Sequence, residues 1–288
     1  MLGSESKPGL FNYYDDPGDG SLPVPVYVGG DQVTNERPMV PVTVTVKDVS
    51  GQEDRFTLDS HGFQYLNHTS IEKTFDNQQR IRDQYYPECE KLLKTVTGAA
   101  QVIIFGHQIR RGPAHWHSIS QNNTSSRGPL HRAHVDQSYD GAVIRLHEQF
   151  PDPDEAARMR SRRWQIINIW RPITPIRTSP LALADATTVP DADLVAASIF
   201  HTVTGRRQES WTVRAGPTHR WYYKHEQTPA EVVLIKCFDS NESAPARRAV
   251  HSAVEYPQKS EIAAQEQPGI PVAGSNRESV EVRCLVFY

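Results

Sequence analysis

The sequence of 288 residues predicts a mostly β fold, a double-sheet jelly roll with helices packed on one side. Two observations carry this prediction. From Pro180 onward the chain alternates short β-branched or aromatic segments with Pro, Gly and Asn turns, a pattern typical of antiparallel sheets. Helical character is confined to two stretches at about 71–96 and 152–163, and both precede this region.

The first third of the chain is expected to supply an arm, a helix and a strand. Residues 1–25 are rich in Gly, Pro and Asp and predict an extended N-terminal arm, followed by a single domain over 26–288. Apolar residues near helical spacing predict the helix at about 71–96, with Gly98 as its C-terminal cap. The apolar run at 100–105 predicts a strand.

The rest of the chain combines long polar loops with strands. The segments 108–129 and 258–276 are polar and predict loops, of which at least one is expected to be a lid. An Asp-Pro pair begins the helix at about 152–163, and the run 164–170 predicts a buried strand. Further candidate strands cover 181–189, 211–213, 220–223, 231–238 and 280–287.

Composition excludes several classes of function. The formal net charge of -3 gives no basic excess for nucleic acid, and no apolar run approaches membrane-spanning length. Three widely spaced cysteines without a Cys-x-x-Cys pair indicate reduced thiols rather than a disulfide framework or a structural zinc site. The N-terminus lacks the apolar stretch of a secretory signal. We therefore expect a cytoplasmic protein whose partner is neither nucleic acid nor a membrane.

A candidate metal site begins with His134 and Asp136, which a strand would project from the same face. Together with a second histidine they would form the two-histidine, one-carboxylate set that leaves half of the coordination sphere of Fe(II) open. His251, in a β-like segment, is the candidate for that histidine. The alternative is a strand-end histidine and a turn-forming aspartate. His115 and His117 form a competing pair, but they lie in a loop without a nearby carboxylate.

The last strand carries a candidate anion site. Arg277 and Ser279 lie on one face of it, followed on that face by Arg283. A guanidinium and a hydroxyl suit the distal carboxylate of a dicarboxylate whose other end binds a metal. A surface strand with ordinary salt bridges is the alternative.

Further short motifs, each different, are distributed along nearly the whole chain beyond the arm. They are Phe56-Thr57-Leu58-Asp59, Gly62-Phe63, Tyr85-Tyr86-Pro87-Glu88, Thr97-Gly98-Ala99, Asn168-Ile169-Trp170-Arg171-Pro172, Pro180-Leu181-Ala182, Phe238-Asp239-Ser240 and the last twelve residues.

With the His-x-Asp, His and Arg-x-Ser order, these motifs resemble the Fe(II)/2-oxoglutarate-dependent dioxygenases. The nearest resemblance is to the mostly fungal hydroxylase/desaturase group of secondary metabolism, around the cephamycin methoxylation component and including a meroterpenoid endoperoxide-forming relative.

The resemblance implies a double-stranded β-helix core and an oxidoreductase that uses Fe(II), 2-oxoglutarate and O2. His134, Asp136 and His251 would be the iron ligands. Arg277 with Ser279 would anchor 2-oxoglutarate, with Arg283 as the alternative anchor because the gap between His251 and Arg277 is long. Asn168 is the third candidate contact to the cosubstrate. The remaining candidates, for contact with the substrate, are Trp116, Tyr139, Arg171, Phe200 and Trp221.

The implied reaction is hydroxylation, desaturation or endoperoxide formation at an unactivated C–H bond. A bulky apolar terpenoid or meroterpenoid is the expected substrate, by analogy with the group alone. A homodimer is an open alternative to a monomer. Two other readings compete: a cupin-like isomerase or hydrolase that uses a metal without redox chemistry, and a jelly-roll binding protein without catalysis.

Overall fold

The computed structural model describes residues 6–28, 37–112, 127–255 and 276–288, and within them the chain folds into two β-sheets flanked by helices. The strands are β1 (Ser6–Tyr14), β2 (Val26–Val28), β3 (Met39–Asp48), β4 (Phe63–Asn67), β5 (Gln101–Arg110), β6 (His134–Val135), β7 (Trp164–Pro172), β8 (Leu181–Ala184), β9 (Leu194–His201), β10 (Arg206–Val213), β11 (Trp221–Tyr223), β12 (Glu231–Asp239), β13 (His251–Ala253) and β14 (Ser279–Phe287). The helices are α1 (Gln78–Arg80), α2 (Tyr86–Thr97), α3 (Tyr139–Gln149) and α4 (Pro153–Arg160), and a π-helical turn, Ile81–Tyr85, joins α1 to α2.

The larger sheet has the strand order β1-β3-β11-β8-β13-β6-β10-β9-β2, and the smaller one has the order β4-β12-β7-β14-β5. Most neighbours are antiparallel, except the parallel pairs β3–β11 and β2–β9. Two curled sheets with mostly antiparallel strands confirm the predicted jelly roll.

The smaller sheet is buried on both faces, and β7 explains how. Trp164, Ile166 and Trp170 alternate along the strand and pack in the core between the two sheets. Ile167 and Ile169 point the other way, into a second core shared with helix α2. Side chains on the inner face of this sheet therefore meet the larger sheet, and those on the outer face meet the helix.

Several element boundaries differ from the expectations. Part of the predicted arm, Ser6–Tyr14, is an edge strand paired with β3 over nine register positions. The first helical segment begins at Gln78 rather than near 71, where the Asn77 side chain accepts a hydrogen bond from the Arg80 amide. Its predicted end is confirmed, because Gly98 has a φ of 71° and its amide donates to Lys94 O.

Helix α3 is a feature that the sequence analysis missed. It begins at the Ser138 cap, whose hydroxyl accepts from the Gly141 amide at 2.8 Å. A Cβ on Gly141 would lie 2.0 Å from the carbonyl oxygen of Glu209, so only glycine permits this approach of α3 to β10. The chain is thus held firmly directly after Asp136. Helix α4 agrees with its prediction, since Asp152 accepts from two amides of the first turn.

Candidate metal centre

Three predicted ligands meet between the two sheets. The strands β6 and β13 are neighbours, and their register sets His134 directly opposite His251. Asp136 follows β6 by one residue. The candidate ligand atoms of the three residues all lie within 4.8 Å of one another, with His134 Nε2 3.4 Å and His251 Nε2 3.8 Å from Asp136 Oδ1.

Backbone carbonyl groups fix the orientation of both imidazoles. His134 Nδ1 donates to Arg132 O at 2.7 Å, and His251 Nδ1 donates to Ala249 O at 3.2 Å. With the proton on Nδ1, each Nε2 presents a lone pair to the space beside Asp136. Burial and the neighbouring His251 lower the pKa of His134 to about 4, so this imidazole is neutral at physiological pH.

The carboxylate of Asp136 is held ionised by groups of the smaller sheet. Burial alone would raise the pKa of this carboxyl, but the Arg283 guanidinium, 3.2 Å from Oδ2, holds it well below its usual range. Asn168 Nδ2 also donates to Oδ2, at 2.8 Å. Oxygen Oδ1 is the one that faces both imidazoles. Two imidazole nitrogens and one carboxylate oxygen on one side of an ion are the donor set that suits Fe(II) with open positions, so the residues fit this metal.

Arg277 lies in the pocket beside these ligands. The pocket is lined by both histidines, Asp136 and a mixture of charged and apolar side chains, namely Arg110, Leu130, Trp170, Leu181, Ser252, Ala253, Arg277, Glu281 and Arg283. The Arg277 guanidinium stacks 5.5 Å from the Trp170 ring centroid and donates to Ser179 O at 2.9 Å. Its Nε has no hydrogen-bond partner within the described ranges. Burial lowers the pKa of Arg277 to about 9, because no ion pair offsets its desolvation there.

Ser279 and Asn168 lie on the same inner face of the smaller sheet. Ser279 is buried two residues beyond Arg277, and Asn168 is opposite Arg283 in the β7–β14 register. The amide oxygen of Asn168 is buried without a partner in the described part of the chain. Arg283, the alternative anchor, already pairs with Asp136 and donates to Glu281 Oε1 at 2.9 Å. Arg277 is therefore the freer of the two guanidiniums.

Arg110 was missed by the sequence analysis because its segment was assigned to a loop from residue 108. It lies at the end of β5, opposite Ser279, and reaches the same pocket. Strict alternation from Ile103 and Phe105 would have put Arg110 on the outer face, but a β-bulge between Ile104 and Gly106 shifts the register and turns it to the inner face. Its Nη1 donates to Gly128 O at 2.8 Å, and burial lowers the pKa of Arg110 to about 10.

The candidate substrate contacts do not gather in this pocket. Arg171 points to the outer face, where it binds Tyr85 and His68. Trp221 is buried against Phe11 at 4.1 Å between ring centroids. The ring of Tyr139 lies under the Arg247 guanidinium, and its hydroxyl donates to Asp191. Phe200 stacks on Tyr27.

None of these four side chains lines the pocket, so the structure gives them no contact with a ligand there. Trp116, the competing pair His115 and His117, and most of both predicted lid segments lie outside the described residues.

Comparison with known proteins decides the family. A family model described as an oxidoreductase/YMDC permease-like domain matches residues 11–287. The hydroxylase/desaturase efuI of Hormonema carpetanum is 32% identical over 96% of this chain and 93% of its own, and the hydroxylase/desaturase CTB9 of Cercospora beticola is 34% identical over 96% and 86%. The alpha-ketoglutarate-dependent dioxygenase tstK of Talaromyces stipitatus is 32% identical over 85% and 84%. The chain belongs to the Fe(II)/2-oxoglutarate-dependent dioxygenase family.

Solved structures agree with this family in fold. Two structures of the iron and alpha-ketoglutarate-dependent endoperoxidase NvfI superpose with TM-scores of 0.76 and 0.81 at 24% identity, over 98% to 100% of this chain and 97% to 99% of theirs. The predicted enzyme class and its use of Fe(II), 2-oxoglutarate and O2 are confirmed. The readings as a non-redox cupin or as a non-catalytic binding protein were wrong. No helix among the described residues is long and apolar enough to span a membrane.

Proposed function

We propose that this dioxygenase oxidises an unactivated C–H bond of a bulky, mostly apolar secondary metabolite, with Fe(II) held by His134, Asp136 and His251. The observation that carries the proposal is the convergence of three ligand atoms within 4.8 Å in one pocket. The hydrogen bonds from both Nδ1 atoms support it, because they orient the lone pairs that a metal would need.

The cosubstrate is assigned to the same pocket. Arg277 binds the distal carboxylate of 2-oxoglutarate, with Ser279 beside it on the strand and Asn168 as a further hydrogen-bonding group. The unpartnered Nε of Arg277 supports this assignment, since it is a donor and buried polar atoms normally have partners. Arg283 instead pairs with Asp136 and keeps it ionised, which favours Arg277 as the anchor.

Iron with 2-oxoglutarate and O2 supplies the oxidising power for hydrogen removal from carbon. The protein's own side chains do the rest. Asp136 offers one anionic oxygen because Asn168 and Arg283 occupy the other. Trp170 and Leu181 line the pocket with apolar surface, which limits access of water to the reacting carbon. Relatives named hydroxylase/desaturases support hydroxylation or desaturation ahead of endoperoxide formation.

Succinate release coupled to product mass tests the proposal. The purified protein is incubated in air with Fe(II), 2-oxoglutarate and a panel of terpenoid and meroterpenoid compounds. We expect succinate that depends on Fe(II), with a product that has gained one oxygen or lost two hydrogens. The His251→Ala variant should release none, whereas His147→Ala, an exposed histidine on α3, is the matched control. Equal succinate from His251→Ala and wild type would remove His251 from the ligand set.

Three further expectations stay predictions. A homodimer would be checked by light scattering, and the cytoplasmic location by imaging of a tagged chain. The lid expected in 108–129 or 258–276 would be checked by hydrogen exchange with and without substrate.

A further inference from the structure

The pocket holds more positive charge than the metal site and the cosubstrate use. Its lining contains the guanidiniums of Arg110, Arg277 and Arg283 and the carboxylates of Asp136 and Glu281. Arg283 pairs with both carboxylates, at 3.2 Å and 2.9 Å. Neither Arg110 nor Arg277 forms an ion pair within the described ranges, so two guanidiniums face the pocket without a carboxylate of their own.

The charge balance leaves one of the two guanidiniums, Arg110 or Arg277, without an assigned ligand. Fe(II) adds two positive charges and 2-oxoglutarate adds two negative ones, so the pair leaves the pocket's excess of one positive charge unchanged. The fork of Arg277 is sufficient to bind both oxygens of the distal carboxylate. A guanidinium that loses water without gaining a carboxylate is costly, and an anionic ligand in the pocket would offset that cost.

Arg110 is built into the fold as the remaining cationic group. The β5–β14 register puts it opposite Ser279, and within the described ranges Gly128 O is the one protein acceptor to which its guanidinium donates. Leu130, Trp170 and Leu181 line the same pocket. This combination of one cation and apolar walls matches an amphipathic ligand.

We propose that Arg110 binds a carboxylate carried by the substrate, so that the enzyme acts on a monoanionic acid with an apolar body rather than on a neutral hydrocarbon. This inference rests on the proposed function, because it assumes that iron and 2-oxoglutarate occupy the rest of the pocket. Arg110 thereby sets which carbon of the acid lies near the iron, since it fixes one end of the molecule.

The test compares acids with their esters in the absence of oxygen. The protein is loaded with Fe(II) and saturating 2-oxoglutarate, which gives a visible charge-transfer band, and is titrated with decanoate, 4-phenylbutyrate and their methyl esters. We expect each acid to shift the band and to bind at least about tenfold more tightly than its ester, the effect of one charge-assisted pair. In Arg110→Gln the preference should fall below about twofold, while Arg110→Lys should keep part of it.

Three results would overturn the proposal. One is equal binding of acid and ester by the wild-type protein, which requires no variant. Another is loss of the band on adding the acid, since the acid would then displace 2-oxoglutarate at Arg277. The third is an Arg110→Gln variant that weakens 2-oxoglutarate binding as much as Arg277→Gln does, because Arg110 would then belong to the cosubstrate clamp. Absence of the band before any acid is added would contradict the proposed function instead.

Discussion

Two buried arginines on opposite faces of the smaller sheet have opposite surroundings. Arg171, on the outer face, donates to Tyr85 Oη at 3.0 Å, to His68 O at 2.6 Å and to Pro229 O at 2.7 Å. Arg277, on the inner face, has one carbonyl partner, one aromatic ring and an unpartnered Nε. The first guanidinium is a structural link between loops. The second keeps an unpartnered donor, and we propose it for a ligand that the protein does not itself provide.

The difference extends to the amides and acids around them. On the inner face Arg110 also lines the pocket, and Asn168 keeps an unpartnered amide oxygen. By contrast, Glu72 outside the pocket is bonded to Arg80 and to the amides of Thr74 and Phe75. Burial of a charge alone thus does not mark a candidate site residue in this protein. At Arg277 an unpartnered donor and a place in the pocket lining accompany the burial.

The largest expected effect follows from removal of a metal ligand. His134→Ala and His251→Ala should each lower 2-oxoglutarate turnover by more than about two orders of magnitude, because even outer partners of a ligand are worth 10–100-fold. The thermal midpoint should change little, since an open catalytic site does not hold the fold together. Turnover and circular dichroism check this. Near-normal turnover in either variant would end the assignment.

Arg277→Gln should weaken 2-oxoglutarate binding by roughly 2–5 kcal/mol, because a desolvated guanidinium–carboxylate pair is lost. Arg277→Lys should recover only part of it, since an ammonium cannot form the planar fork. Stability should be unchanged or higher in Arg277→Gln, because a buried charge without a carboxylate is removed. Calorimetric titration with Fe(II) present measures the affinity. If Arg283→Gln produced this loss and Arg277→Gln did not, the anchor would be Arg283.

Arg171→Met should act on stability instead. It leaves the buried carbonyls of His68 and Pro229 without a donor, and we expect a loss of roughly 2–4 kcal/mol in the free energy of unfolding. The affinity for 2-oxoglutarate of the folded variant should match that of wild type. Denaturant melts measure the change in stability, and calorimetric titration with 2-oxoglutarate measures the affinity. A variant that keeps its stability but binds the cosubstrate poorly would reverse the comparison.

Substitution of Glu72 should have the smallest effect on the free energy of unfolding, and this effect should depend on pH. Burial alone would raise the pKa of Glu72, but its bonds to Arg80, Phe75 and Thr74 lower it from the usual 4.5 to about 2. Ionised Glu72 therefore stabilises the folded state at neutral pH, and this contribution is lost as the pH falls from about 4.5 toward 2. Glu72→Gln should cost roughly 1–3 kcal/mol at pH 7. The difference between variant and wild type should shrink in melts at lower pH, and a constant difference would contradict the assignment.

Strand alternation was sufficient to predict much of the site. It put His134 and Asp136 on one face, and Arg277 with Ser279 on another. It could also have put Arg171 on the face opposite Asn168, where the structure has it, had the phase of β7 been applied strictly.

The pairing of strands that are distant in the sequence could not be predicted from strand alternation. The register that sets His251 opposite His134 depends on sheet packing across more than a hundred residues. Whether a buried arginine finds carbonyl partners is likewise decided by loops such as the one that contains Pro229.

The central claim is that the inner face of the smaller sheet and the strands β6 and β13 together form one site for iron and 2-oxoglutarate. Anaerobic titration of the protein with Fe(II) and 2-oxoglutarate tests this claim most directly. Wild type and Arg171→Met should both develop the visible charge-transfer band of 2-oxoglutarate chelated to iron. His251→Ala should not develop it at any concentration of Fe(II), and Arg277→Gln should require far more 2-oxoglutarate. A band of full intensity in His251→Ala, or no band in wild type, would contradict the account.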